Sequence, residues 1–125
     1  MILKYPLLFR SIAFNRWIKQ YWLISIPPGW HKLVDTMCSK IMSEIKLDKP
    51  SFKDLPKIEQ LKEKWWQLVC HRDNSTQQID IIIRETCIET SKTCVECGNQ
   101  EKYIISLQNK GRCNLCLLKL STPTW

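Results

Sequence analysis

The C-terminal quarter carries a pattern that leaves the chain few choices. Residues 94–116 read CVECGNQEKYIISLQNKGRCNLC, two Cys-x-x-Cys pairs with fifteen residues between them. A Cys-x-x-Cys turn presents both sulfurs to one point, and two such turns complete the tetrahedral shell of structural zinc. The spacing therefore predicts that Cys94, Cys97, Cys113 and Cys116 hold one structural zinc ion. Within the insert, YIISL reads as a strand and NKGR as a turn, which together would bring the two pairs into one hairpin. Gly98, directly after the first pair, frees the backbone to turn its amides toward the thiolates.

Other chemistries of four cysteines fit less well. A redox Cys-x-x-Cys needs a helix N-terminus after a strand to lower its thiol pKa, and two such pairs would be redundant. An iron–sulfur cluster also takes four thiolates and stays as a competing reading. A zinc deaminase would need His-x-Glu and Pro-Cys-x-x-Cys, and neither occurs. Cys70-His71 offers a further ligand, against the plainer reading of a strand-end cysteine and a satisfied histidine. The chain has seven cysteines, an odd number that rules out complete internal pairing and points to reduced thiols and a cytoplasmic setting. Four thiolates leave no open position for water, so the zinc is expected to be structural and not catalytic.

The rest of the chain must supply a core for that staple to hold. At 125 residues it is long enough for one domain. Trp30, Leu33, Val34, Met37, Cys38, Ile41, Met42 and Ile45 recur at the spacing of one helix face, with Cys38 as a small apolar filler. PPGW at 27–30 punctuates the chain before that helix, and LDKPSFKDLP at 47–56 is a Pro-bounded linker after it. A second helix, capped by Asn74, Ser75 or Thr76, carries Ile79, Ile82, Ile83, Thr86, Cys87 and Thr90 and runs into Cys94. Between the two, Ile58 and Leu61 suit the end of a short helix, whereas residues 64–71, WWQLVCH among them, read as a strand. A further helix is expected over 11–23, after Pro6, with Phe14, Trp17, Ile18 and Trp22 on one side. The expected class is α+β: two amphipathic helices packed with a short strand pair, plus a C-terminal four-cysteine zinc ribbon or knuckle hairpin. Residues 1–93 form the body and 94–125 the ribbon, joined as one unit.

The net charge of +7 is unevenly placed. Residues 1–34 hold five Lys and Arg and no acid, leaving fourteen Lys and Arg against twelve acids in the remainder, or +2. Tyr5, Phe9, Phe14, Trp17, Tyr21, Trp22 and Trp30 are interleaved with that basic stretch. One reading is a core of aromatics with a solvated basic rim. The other is a contact face for nucleic acid or an acidic protein surface, with Arg10, Arg16, Trp17, Lys19 and Trp22 as its candidates and Lys110 and Arg112 on the ribbon turn. Arg10, Arg16 and Lys19 interrupt every window long enough to cross a bilayer, so no membrane span is expected. The short apolar start without a cleavage site argues against a secretory signal, and the many large aromatics argue against an organellar transit peptide.

Several stretches together resemble a family of small zinc-ribbon proteins encoded in temperate phages and prophages, mostly without assigned function. That family shows an initial KYP-x-LF segment, a GW-x-x-L(I/V) stretch followed by a cysteine, a QVKEKFGGLRFY segment, and a helix leading to paired cysteines. Here the corresponding stretches are Lys4-Tyr5-Pro6-Leu7-Leu8-Phe9, Gly29-Trp30-His31-Lys32-Leu33-Val34 with Cys38, and Gln60-Leu61-Lys62-Glu63-Lys64-Trp65-Trp66-Gln67-Leu68-Val69-Cys70. The ending is Cys94-Val-Glu-Cys97-Gly98 and Cys113-Asn-Leu-Cys116. Pro28 stands where the family has an acidic residue before the glycine, and Trp66-Gln67 replaces its glycine pair. The resemblance implies a phage-related intracellular accessory protein and supplies no activity.

No Ser/His/Asp or Cys/His arrangement, phosphate loop or carboxylate cluster emerges, so neither an enzyme nor a small-molecule substrate is expected. Two binding functions follow. One is an accessory factor that binds a host protein or nucleoprotein complex, such as an inhibitor of a nucleic-acid-based defence system, using tryptophans as contact anchors. The other is a direct nucleic-acid-binding or regulatory protein working through its basic segment.

Overall fold

The apolar stripes read above become two helices packed on each other, and the second of them also packs on the last strand of a small sheet. The computed structural model describes residues 3–13, 23–100 and 111–121. In chain order the described elements are α1 (Arg10–Ala13), β1 (Ile24–Ser25), α2 (His31–Asp48), β2 (Lys57–Lys64), β3 (Gln67–Asp73), α3 (Gln77–Ser91) and α4 (Asn114–Ser121). Short 3-10 turns at Pro28–Trp30 and Phe52–Asp54 flank α2. The fold is α+β, and the four paired cysteines cluster at its C-terminal end. Of the expected helix over 11–23, only its start falls within α1, and residues 14–22 lie outside the described residues. So does 101–110, which contains YIISL, the stretch expected as a strand.

Helix α2 follows directly on the 3-10 turn at Pro28–Trp30, and Lys49 ends it in the left-handed conformation at φ 47°, one residue before Pro50. It buries Val34, Met37, Cys38, Ile41 and Ile45. Helix α3 is capped by Thr76, whose hydroxyl accepts the Ile79 amide at 3.3 Å, and it buries Ile79, Ile83, Thr86 and Thr90. Trp30 is the largest fully buried side chain, with Phe9, Leu8, Ile12, Leu61 and Ile58 around the same core. Each such side chain contributes roughly 1.5–3 kcal/mol through burial.

The sheet has the order β1-β2-β3, with β1 parallel and β3 antiparallel to β2. The segment 57–64 is a strand and not a helix end. A bulge lies between Ile58 and Gln60, so two inward residues, Ile58 and Leu61, come to stand three apart. That interval imitates one helical turn and so hides the strand from any reading of periodicity. The expected strand over 64–71 is likewise interrupted at Trp65 and Trp66, which form the two-residue hairpin turn between β2 and β3. Both sit at positive φ, 52° and 63°, as a type I′ turn demands. Such positions favour Asn and Gly, and a bulky residue there costs about 1–2 kcal/mol. Glu63 steadies the turn by accepting the Trp66 amide at 2.7 Å.

Parts of the sheet margin are covered from within: the β3 edge, and the stretch of β2 that runs past its short pairing with β1. Along β3 the Leu68 carbonyl accepts the Cys87 thiol at 3.6 Å and the Cys70 carbonyl accepts Arg72 at 3.0 Å. On the β2 side the Ile58 amide donates to the Leu8 carbonyl at 2.7 Å. Arg10 donates to the carbonyls of Leu55, Pro56 and Leu7 and lies over the Phe52 ring. These contacts blunt the unpaired backbone that would otherwise invite strand addition. No helix of the described residues is long and apolar enough to cross a membrane.

Candidate metal centre

The two Cys-x-x-Cys pairs reach one point from different kinds of backbone. Cys94 and Cys97 lie in a tight loop just beyond α3. In that loop the Gly98 amide donates to the Cys94 carbonyl at 3.1 Å and the Cys94 amide to the Asn99 carbonyl at 2.8 Å. Gly98 takes φ 79°, the left-handed conformation that closes the knuckle. The following Asn99 amide points at the Cys97 sulfur, 3.4 Å away. Cys113 and Cys116 straddle the start of α4, a helix that the cysteine spacing alone does not announce; Cys113 immediately precedes it and Cys116 lies in its first turn.

All four ligand sulfurs lie within 4.8 Å of one another, and Cys97 and Cys113 are 3.6 Å apart. Cys94, Cys113 and Cys116 are buried and Cys97 is exposed at the rim. This set could hold a metal ion. Its electrostatics favour a cation. Burial pushes the Cys94 thiol up, but backbone amides of Cys97, Cys113 and Glu96 outweigh it and bring the thiol down to about 6. Burial, followed by the three neighbouring sulfurs, pushes Cys116 up to about 12. At Cys97 the Asn99 amide pulls the thiol down, yet burial and the Cys113 sulfur leave it raised. Cys94 thus loses its proton more readily than Cys97 and Cys116, and a divalent cation among the sulfurs would remove that conflict.

The loop is bolted to the body at two places that sequence reasoning missed. At the first, the Gly29 amide donates to the Val95 carbonyl at 2.8 Å, and the buried Trp30 indole donates to the Thr93 carbonyl at 3.0 Å. Gly29 approaches so closely that a methyl group on it would stand 2.0 Å from the Cys94 carbonyl oxygen. At the second, the Val95 amide donates to the Gly111 carbonyl at 2.8 Å. A methyl group on Gly111 would meet Val95 at 2.9 Å and the Trp66 ring at 3.2 Å. Arg112 then lies over the Trp66 ring and pairs with Glu96 at 2.8 Å. The available signals were the PPGW turn and the glycine before Arg112, which mark close backbone approaches as well as turns.

The remaining candidates separate. Cys70 is inward on β3, where burial pushes its thiol up to about 12, and it is not among the clustered sulfurs; His71 is exposed. Cys38 is fully buried, its thiol also pushed up to about 12 by burial. Arg10 and Arg112 are half-buried in the contacts described, and Arg16, Trp17, Lys19, Trp22 and Lys110 lie outside the described residues. Of the N-terminal aromatics, Tyr5, Phe9 and Trp30 belong to the core. Comparison of the chain with protein-family models, curated proteins and solved structures finds no match.

Proposed function

We propose that this chain is a non-enzymatic binding module, stapled by one structural zinc ion, that docks on a host protein or nucleoprotein complex. The four-sulfur shell carries this reading. Sulfurs at tetrahedral corners around zinc, with Zn–S near 2.3 Å, stand about 3.8 Å apart. The 3.6 Å separation of Cys97 and Cys113 fits that edge. Bound zinc would supply charge compensation and roughly 10–16 kcal/mol of folding free energy. With four protein ligands no position is left for water or substrate, which argues against catalysis at the metal.

Docking is favoured by what the fold leaves outside. Trp65 is 72% exposed at the tip of the β2–β3 hairpin, in a backbone conformation that disfavours a bulky residue. Exposed, rigidly mounted tryptophans are frequent anchors at interfaces. The resemblance to phage-encoded zinc-ribbon proteins supports an accessory role in the host cytoplasm, with inhibition of a nucleic-acid-based defence system as the activity. The direct test is affinity capture from host lysate with and without nuclease, beside a metal count by native mass spectrometry. One zinc per chain and a specific partner absent from a Trp65→Ala control are expected. A chain that folds fully without metal, or whose captured partners ignore Trp65→Ala, refutes the proposal.

A further inference from the structure

The pleat of the hairpin separates its residues cleanly. The facing pairs Leu61–Cys70 and Glu63–Leu68 point inward, and Leu61, Cys70 and Leu68 are buried in the core. The alternate pairs Gln60–His71, Lys62–Val69 and Lys64–Gln67 therefore share the outward face. On it Lys64, Gln67 and His71 are exposed and Lys62 and Val69 half-buried. Ser25 of β1, beside Lys62, adds an exposed hydroxyl to the same side.

None of these outward paired positions carries a carboxylate. Glu63, the acid nearest the turn, faces the other way and is occupied by the Trp66 amide. Glu59 sits in the bulge and Asp73 pairs with Lys57, both at the end away from the turn. Elsewhere Lys4, Arg72 and Arg112 are neutralised by Asp35, Asp80 and Glu96. Neither Lys62 nor Lys64 is held in an ion pair among the described residues. The result is a cationic, hydrogen-bonding strip that ends in the exposed indole of Trp65.

We propose that the outward face of the β2–β3 hairpin binds single-stranded nucleic acid, with Trp65 stacking on a base and Lys62 and Lys64 neutralising phosphates. The charge complementarity is direct, since a polyanion needs cations free of internal partners. A single strand also exposes the base faces that a lone aromatic can stack against, which a duplex hides. Gln67 and His71 add side-chain hydrogen bonding beside that track without specifying a sequence. This deepens the binding reading above by naming the partner's chemistry, and it rests on that reading.

The test uses the purified, zinc-loaded full chain and a short fluorescein-labelled oligothymidylate, read by anisotropy across a salt series. The single strand should bind more tightly than a duplex of equal length. Trp65→Ala should weaken binding roughly 5- to 150-fold and Trp65→Phe far less, as expected for stacking. The double substitution Lys62→Ala/Lys64→Ala should flatten the slope of log K against log salt by about 1.4, about 0.7 for each phosphate that is no longer neutralised. All three variants change exposed or half-buried positions, and unchanged circular dichroism and zinc content verify their folding. Absence of binding at low salt, equal preference for duplex, or indifference to these substitutions overturns the inference. Capture of a nuclease-resistant protein partner through Trp65 alongside such a failure would leave the binding module standing and remove its nucleic-acid ligand.

Discussion

Gly29→Ala should be among the most damaging single-atom additions the chain can receive. The new methyl carbon would stand 2.0 Å from the Cys94 carbonyl oxygen and 2.8 Å from both the Gly98 nitrogen and the Val95 carbonyl carbon. All three are backbone atoms of the loop that carries Cys94 and Cys97, so a bound metal denies them room to yield. The turn at 28–30 must move instead. Two hydrogen bonds go with it: Gly29 amide to Val95 carbonyl at 2.8 Å, and Trp30 indole to Thr93 carbonyl at 3.0 Å. Val95 and Thr93 are buried, so water does not replace these partners readily. An orphaned buried group costs about 1–3 kcal/mol, so the pair gives about 2–6 kcal/mol. That is a large part of the roughly 5–15 kcal/mol total typical of a small domain. The assay is urea unfolding of the zinc-loaded protein followed by tryptophan fluorescence, in which the midpoint should fall with little change in m. A loss below about 0.5 kcal/mol would mean that the loop gives way freely and that Gly29 is not its seat.

The other expectations concern the metal, the hairpin and one acidic side chain. Chelation, or Cys97→Ser, should unfold at least the C-terminal third, since roughly 10–16 kcal/mol of binding free energy is then withdrawn or cut; an unchanged melting curve after verified metal removal would refute this. Trp65→Asn should hold or raise stability by up to about 1 kcal/mol, because Asn tolerates the positive φ of a type I′ turn, while oligonucleotide binding falls; a clear drop in thermal midpoint would show that Trp65 serves the core. The Asp80 carboxyl is held below the usual carboxylate range by the Ser75 hydroxyl and by Arg72. Its contribution is therefore present above the unfolded carboxylate value of about 3.9 and lost as pH falls through the lower folded value. The wild-type advantage over Asp80→Asn, below about 1 kcal/mol for so exposed a pair, should shrink progressively as pH falls below about 4; an advantage that stays constant or grows on acidification would contradict the linkage.

What could be read from the sequence was whatever a short repeat encodes. The stripe from Trp30 to Ile45 and the one from Ile79 to Thr90 became α2 and α3 because a helix face needs only local spacing. The four sulfurs met as their spacing required. The hairpin failed at the points where local rules were broken. A bulge gave Ile58 and Leu61 a helical interval, and a Trp-Trp pair occupied a turn that normally announces itself by Asn-Gly. The seating of the metal loop was also invisible, because it joins Gly29 to Val95 and Trp30 to Thr93 across more than sixty residues. The charge asymmetry of residues 1–34 was legible, and among its aromatics Tyr5, Phe9 and Trp30 serve the core, as one of the two readings expected.

The strained turn makes sense once its second residue is considered with the metal loop. Trp66 packs on Gly111, whose carbonyl is fixed by the Val95 amide, and it lies under Arg112, which Glu96 holds in place. Val95 and Glu96 sit between the first two ligands, and Arg112 immediately precedes the third. Fixing the four sulfurs therefore fixes both sides of the slot that holds the Trp66 ring. With Trp66 seated inward and the strand register set by the pairs from Lys64–Gln67 onward, the adjacent residue is displayed at the hairpin tip, and that residue is Trp65. A flexible Asn-Gly turn would satisfy the hairpin but would lose the inward ring that couples it to the knuckle. On the function proposed above, the metal and the outward strip would be parts of one device, in which the rigidity of the staple presents Trp65 at the end of a cationic strand face. Loosening the staple should weaken binding before it unfolds α2 and α3, since those helices hold each other through contacts the sulfurs do not touch.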